Sequence, residues 1–244
     1  MRFFRGASIA LRRWGLGIAV VLVGSASVGV ASAYGRTIAD WEMNEPPGAT
    51  TMHDSGPFDI SGRIGSAVVT GVVADGRTGY RWLATGRDGA HRERLVTVDS
   101  SLLNPARGDF VVIVRFSTEF HGHQHIIQKG QVGAAGGMWK IHLQRTSGRA
   151  GCTFIGSRDR AGIRSRETGL ADGAWHTVRC ERRSTGVSVI VDGGRPTTNP
   201  KWTGKIANTW PTSIGGKWFC GVPQAPNCDY FVGLVDRVVV KKLR

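Results

Sequence analysis

Apolar residues recur at every second position in short runs along most of this chain. In Asp109–Phe116, the side chains of Phe110, Val112, Val114 and Phe116 fall on one side and those of Val111 and Ile113 on the other. Successive residues of an extended chain alternate between faces, so this run predicts a strand covered on both sides. Trp139, Ile141 and Leu143 alternate with Lys140, His142 and Gln144, which predicts a strand with one dry and one wet face. Val187, Val189 and Val191 lead into Asp192-Gly193-Gly194, a tight hairpin turn in which glycine accepts a positive φ. The run from Tyr230 to Val240 puts Val232, Leu234, Asp236, Val238 and Val240 on one face. An aspartate on an apolar face demands a partner or a metal, because a buried unpaired carboxylate is costly. Further strands are predicted at Ile38–Met43, Ala67–Val73, Leu95–Val98, Ile126–Lys129, Cys152–Gly156, Trp175–Glu181 and Thr212–Gly216. Helical periodicity is almost missing.

About a dozen strands joined by polar, glycine-rich turns predict an all-β protein of two stacked antiparallel sheets, a jelly-roll sandwich in which the first and last strands pair. A closed barrel is the alternative. The composition agrees. The 244 residues are 41% hydrophobic and include 35 glycines without a collagen-like period, which excludes a disordered polyelectrolyte and a fibrous chain. No Pro-rich or Ser-rich linker divides the runs, so residues 34–244 read as one domain; a monomer is expected.

The first 33 residues read as a secretory signal peptide. Arg2, Arg5, Arg12 and Arg13 come first, Leu16–Val30 is apolar, and Ala31-Ser32-Ala33 supplies the small-residue cleavage pattern. The apolar run of about fifteen residues is shorter than the roughly 20 that span a bilayer. An uncleaved anchor is the competing reading, and Arg12-Arg13 also fits a twin-arginine export route. The whole chain carries +14, and four of its 32 Lys+Arg lie in this acid-free segment, so residues 34–244 carry +10. Cysteine usage fits export to a secreted, extracellular location. Cys152, Cys180, Cys220 and Cys228 are an even set with three possible connectivities. Cys220 and Cys228 bracket a Gly-Pro loop and are expected to staple it; Cys152 and Cys180, on separate strand runs, are expected to bridge neighbours.

Four stretches carry a resemblance. They are Trp41-Glu42-Met43-Asn44-Glu45 with Thr51-Met52-His53-Asp54-Ser55-Gly56; Asn104-Pro105 with Asp109-Phe110-Val111-Val112; Asp172-Gly173-Ala174-Trp175-His176-Thr177-Val178 with Val189-Ile190-Val191-Asp192-Gly193; and Ile214-Gly215-Gly216 with Phe231-Val232-Gly233-Leu234-Val235-Asp236. In this order and spacing residues 34–244 resemble the laminin G-like, concanavalin A-like jelly-roll domains of bacterial exported proteins. Trp175 is expected to pack into such a sandwich, with His176 as a satisfied structural neighbour. The resemblance implies one structural Ca²⁺ near the joined terminal strands, with Asn44, Glu45, Asp54 and Asp236 at the matching positions; calcium takes six to eight oxygen ligands.

Four other constellations bear on function. His121-Gly122-His123-Gln124-His125 would align three imidazoles as a zinc site if extended, but the comparison with the family places it in a solvated loop. Glycosidases of this fold present a Glu-x-Asp-x-x-Glu strand, which is absent; Asp40, Glu42 and Glu45 are the nearest cluster. A Gly-x-Ser-x-Gly elbow is also absent. Trp202, Trp210 and Trp218 lie in polar, Gly- and Pro-containing segments, where indoles stack on sugar rings or pack over sandwich edges. Arg158, Arg160, Arg164 and Arg166 have even spacing and share a face if extended, which suits sulfate, phosphate or carboxylate. The expectation is a non-catalytic exported module that binds carbohydrate or an acidic cell-envelope polymer, with no nucleic-acid partner. A glycoside hydrolase or lyase on the same scaffold is the runner-up, and a structural or adhesion module the third reading.

Overall fold

The computed structural model describes residues 35–84, 90–220 and 227–243; the expected signal segment and its cleavage point lie outside the described residues. In chain order the strands are β1 (Arg36–Trp41), β2 (Thr51–Met52), β3 (Gly62–Ile64), β4 (Val69–Ala74), β5 (Arg77–Trp82), β6 (Val96–Val98), β7 (Phe110–Ser117), β8 (Gln124–Lys129), β9 (Met138–Leu143), β10 (Ala150–Ile155), β11 (Arg160–Arg164), β12 (Trp175–Arg183), β13 (Gly186–Val191), β14 (Thr197–Asn199), β15 (Thr212–Ile214) and β16 (Gly233–Lys242). They form two eight-stranded sheets. The first runs β14-β13-β12-β7-β16-β5-β4, with β1 also on β16, and the second runs β11-β10-β9-β8-β15-β6-β3-β2. Every pairing between named strands is antiparallel. The all-β jelly-roll sandwich expected from the alternation is the observed fold, and the chain's two terminal strands pair as expected, from Arg36 opposite Lys242 to Trp41 opposite Val238. Among the described residues no helix is long and apolar enough to cross a membrane.

The alternation explains the core. Phe110, Val112, Val114 and Phe116 of β7, Trp139, Ile141 and Leu143 of β9, and Val187, Val189 and Val191 of β13 are all buried in one cluster between the sheets. Burying each such side chain stabilises by roughly 1.5–3 kcal/mol before conformational entropy is counted. Three indoles enter this core, and each N–H finds a carbonyl: Trp41 donates to Ile60 (2.8 Å), Trp82 to Arg94 (2.8 Å) and Trp139 to Leu103 (3.0 Å). Thus their polar edges cost little on burial.

Three expectations are corrected. First, Asp236 does not sit on the core face. Val235 opposes Phe116 and Arg237 opposes Arg115, so Asp236 is an extra residue in a β-bulge. The bulge resets the alternation, returns Val238 and Val240 to the core and places the Asp236 carboxylate near Arg77 and Arg115, each 3.7 Å away. Second, Trp175 lies opposite Ser117, out of step with the core residues, and its ring is half-buried under the Arg115 guanidinium, 5.3 Å from the centroid. His176 takes the inward position opposite Phe116 instead. Third, Cys152 and Cys180 do pair, but β10 and β12 belong to different sheets, so the bridge crosses the sandwich rather than joining neighbours. Cys220 and Cys228 pair as expected.

Two predictions follow from these contacts. The cross-sandwich disulfide has a sequence separation of 28; on chain-entropy grounds, Cys152→Ala/Cys180→Ala should lower the urea-unfolding free energy by about 3–4 kcal/mol. His176 Nδ1 lies 2.8 Å from Asp192 and Nε2 3.1 Å from Asp172. Burial opposes its charge, but these two carboxylates win and raise its pKa above the ordinary value. A base with a raised folded pKa gives stability that is full below about pH 6.5 and fades as pH rises through the folded value. The wild type should therefore exceed His176→Gln in stability by more at about pH 5.5 than at about pH 9; a gap independent of pH would sink this.

Candidate functional site

Strand register alone assembles a basic groove on the outer face of the second sheet. Trp139, Ile141 and Leu143 point inward, so Lys140 and His142 point out. His125 opposes His142, His142 opposes Gly151, and Gly151 opposes Arg164. One step along, Gln128 opposes Lys140, Lys140 opposes Thr153, and Thr153 opposes Gly162. Gly151 leaves the His142 ring room to lie down on the sheet: a Cβ there would sit 2.4 Å from the imidazole Cε1. The resulting groove has a volume of about 580 Å³ and is lined by His123, Lys140, His142, Gln144, Thr153 and Arg160, with Gly162, Ile163 and Arg164 closing it.

The groove is crowded with basic groups. The His123, His125 and His142 rings lie 5.3–5.9 Å apart, centre to centre. Burial holds the His125 and His142 pKa values well below the imidazole norm, and Lys140 pushes both further down. Burial also lowers Lys140, to about 8, with Lys217 adding repulsion. Asp229 stands at the groove's edge, where its carboxylate is 2.5 Å from the Lys217 ammonium and 3.6 Å from His125 Nε2. No Asp or Glu is among the residues lining the groove.

The sequence-predicted residues are partly gathered here. Arg160 and Arg164 reach the groove because β11 presents its even positions outward, while Ala161 is buried and Ile163 packs against the core. Arg158 precedes that strand and lies over the Trp202 ring, 5.5 Å from its centroid; Arg166 follows the strand and is exposed. The tryptophans do not form one platform. Trp210 meets Phe219 edge-on, and Trp218 lies under Arg92, 4.1 Å from the centroid, beside a separate cleft lined also by Thr50, Arg63 and Thr97. The solvated-loop reading holds for His121, which is exposed, but fails for His125, which is 2% exposed. Its strand begins at Gln124, opposite Leu143, and this pairing draws His125 down over the sheet. Sequence reasoning missed Lys140, His142 and Thr153 as groove residues, and Asp229 at its edge. Lys140 and His142 were visible as a wet face, but nothing in the sequence showed that the wet face is concave and shared with His125.

Of the four residues expected to hold calcium, Asp54 and Glu45 are engaged in hydrogen bonds, and Asn44 and Asp236 share one cleft. Asp54 already accepts three backbone N–H groups, from Asp40 (2.8 Å), Gly56 (2.7 Å) and Ile60 (2.8 Å). Glu45 accepts from the His53 backbone at 2.7 Å and from the Tyr80 hydroxyl. Asn44 and Asp236 border one shallow cleft, with Arg77 and Arg237 beside them. In the acidic cluster near β1, Asp40 is held by Arg237 through two bonds of 2.9 and 2.7 Å, and Glu42 accepts from Asn44.

Comparison with known proteins places the fold. Residues 131–243 match the family model of the laminin G domain. Domain 4 of AbnA, a GH43 extracellular arabinanase from Geobacillus stearothermophilus solved with arabinotriose, aligns at 14% identity over 86% of this chain and 95% of its own, with a TM-score of 0.60. The binding domain of botulinum neurotoxin DC, solved in complex with SialylT, aligns at 12% identity over 85% of this chain and 48% of its own, with a TM-score of 0.58. A mouse laminin alpha1 structure of domains LG4-5 aligns at 20% identity over 57% of this chain and 37% of its own, with a TM-score of 0.40. The chain thus spans less than half the length of the laminin and toxin chains it matches. At these identities the likeness is one of fold. No curated protein matches the chain in sequence.

Because Asp54 ties β1 to the turn before β3 through backbone N–H groups, Asp54→Ala should destabilise the protein by about 2–3 kcal/mol, the cost of unpairing several charge-assisted bonds. The loss should be the same with calcium or with chelator in the unfolding assay. A destabilisation that appears only in the presence of calcium would return the residue to metal binding.

Proposed function

We propose, because the chain carries a laminin G-like jelly-roll domain, that it is a non-catalytic binding module whose ligand is an acidic carbohydrate or a polyanionic envelope polymer. The observation that carries this reading is the outer groove of the second sheet, where Lys140, Arg160 and Arg164 converge beside His123 and His142 with no lining carboxylate. Cations that repel one another in a half-buried groove are stabilised by an incoming anion, and guanidinium groups bind carboxylate or sulfate in a two-pronged fashion. Gln144 and Thr153 add neutral groups for sugar hydroxyls. Fold relatives that are themselves binding domains, or were solved with arabinotriose, support a binding role. A glycosidase needs two opposed carboxyl groups, and the groove supplies none. The two disulfides suit an oxidising compartment, so the module works outside the cytoplasm, in keeping with the signal-like segment at its start.

The test is calorimetric titration of the protein with a sulfated or uronic-acid oligosaccharide and with its neutral analogue. The acidic ligand should bind, weaken steeply as salt rises, and lose affinity by about tenfold or more, some 1.4 kcal/mol, in Arg160→Ala/Arg164→Ala. Both side chains are exposed, so the fold should survive. Equal affinity for the neutral sugar, or acidic-ligand affinity unchanged in the double variant, would overturn the proposal.

A further inference from the structure

We propose that His123, His125 and Asp229 form a site for a borderline divalent metal ion of the zinc class. One ligand atom from each of the three lies within 4.8 Å of the others. His125 Nε2 and Asp229 Oδ2 are 3.6 Å apart, close to the roughly 3.3 Å edge of a tetrahedron built on zinc–ligand distances of about 2.0–2.1 Å. Closing the set needs a shift of about 1 Å or a little more on the His123 side. His123 sits on the loop that enters β8, half-buried, where such a shift is feasible.

The protonation pattern suits a metal ligand. Gln128 donates its amide N–H to the Gly130 carbonyl at 3.1 Å, so its carbonyl oxygen is the atom facing His125 Nδ1, at 2.8 Å. That oxygen only accepts, so Nδ1 carries the proton and Nε2 presents its lone pair toward Asp229 and His123. A carbonyl that accepts from the far ring nitrogen and so fixes the tautomer and ring orientation is the usual support of a metal-bound imidazole. Asp229 is held in place as well. Its carbonyl accepts from the His125 backbone N–H at 2.8 Å, Tyr230 forms a parallel bridge with His125, and the Cys220–Cys228 disulfide ends at the preceding residue.

Positive charge already collects where the donors converge. The Lys140 ammonium is 2.8 Å from His125 Nε2, and the Lys217 ammonium is 2.5 Å from Asp229 Oδ2. Each lysine stands where a cation satisfies the donors, and each has a flexible stem that can leave when a dication arrives. The next imidazole, His142, has its Nδ1 buried without a hydrogen-bond partner, and its ring centre is 5.3 Å from that of His123. Two imidazoles and one carboxylate select zinc-class ions over calcium or magnesium, which take all-oxygen sets. Three protein ligands leave a fourth position open to the groove. The inference stands without the glycan reading, since it concerns the metal alone.

Zinc titration of the chelator-treated full chain in a non-coordinating buffer tests it, with unfolding curves to confirm that each variant folds. One zinc should bind per chain. His123→Ala and Asp229→Asn should each weaken it at least tenfold, whereas His121→Ala, outside the set, should not. Lys140→Met should tighten binding, because it removes the competing ammonium. Cobalt(II) should give the intense visible bands of a four-coordinate site, and Asp229→Asn should change them. Absence of saturable one-to-one binding, or a His121→Ala loss as large as that of His123→Ala, would overturn the site; so would zinc affinity unaltered by Asp229→Asn.

Discussion

Two apolar sheet faces exclude water by lying against each other, and nearly every other feature of this protein is placed by that contact. Once Phe110, Val112, Val114 and Phe116 are inside on β7 and Trp139, Ile141 and Leu143 are inside on β9, the period of two leaves no choice for their neighbours. Lys140 and His142 must face out. The ladders then carry that parity sideways, so that His125, Gly151 and Arg164 share their row. The bridge from Cys152 to Cys180 joins the two faces covalently where they meet. The bulge at Asp236 is the one place along β16 where the parity is reset, and it spares the core a carboxylate.

The groove inherits its character from this geometry. Residues that would be dispersed on a flat, solvated sheet are brought together on a concave one, where burial and mutual repulsion disfavour their charged forms. The pKa values of His125, His142 and Lys140 fall for this reason. Lys140, Arg160 and Arg164 line this groove with no carboxylate among the lining residues, the feature on which the proposed anion binding rests. At the edge of the same face the Lys140 ammonium meets His125 Nε2 and the Lys217 ammonium meets Asp229, the contacts on which the proposed metal site rests.

Much of the fold was legible in the sequence. The strands β7, β9 and β13 announce themselves because their dry faces are unbroken runs of Val, Ile, Phe and Trp. β11 and β5 do not. The Arg160–Arg164 segment has only Ala161 and Ile163 on its inner face, and it is a strand because β10 offers it a free edge. Trp175 misled because a large indole after a turn suggests the core, whereas the register with Ser117 sends it outward. The even spacing of Arg158, Arg160, Arg164 and Arg166 overstated their cluster, since the strand ends before the outer two. His125 was hidden for a related reason: its burial depends on where β8 starts.

Local pattern by itself determined the all-β class, most of the strands, most of the inward residues, the even set of four cysteines and the basic balance of the chain, because each depends on alternation, spacing or count. Only the tertiary structure decided which outward residues meet. Register between strands far apart in sequence set His125 against His142 and Arg164 beyond Gly151, a bulge moved Asp236 off the core face, and three backbone N–H groups, one of them on β1, came to bond Asp54. Those outcomes depend on the positions of other strands, and no short stretch of sequence contains that information.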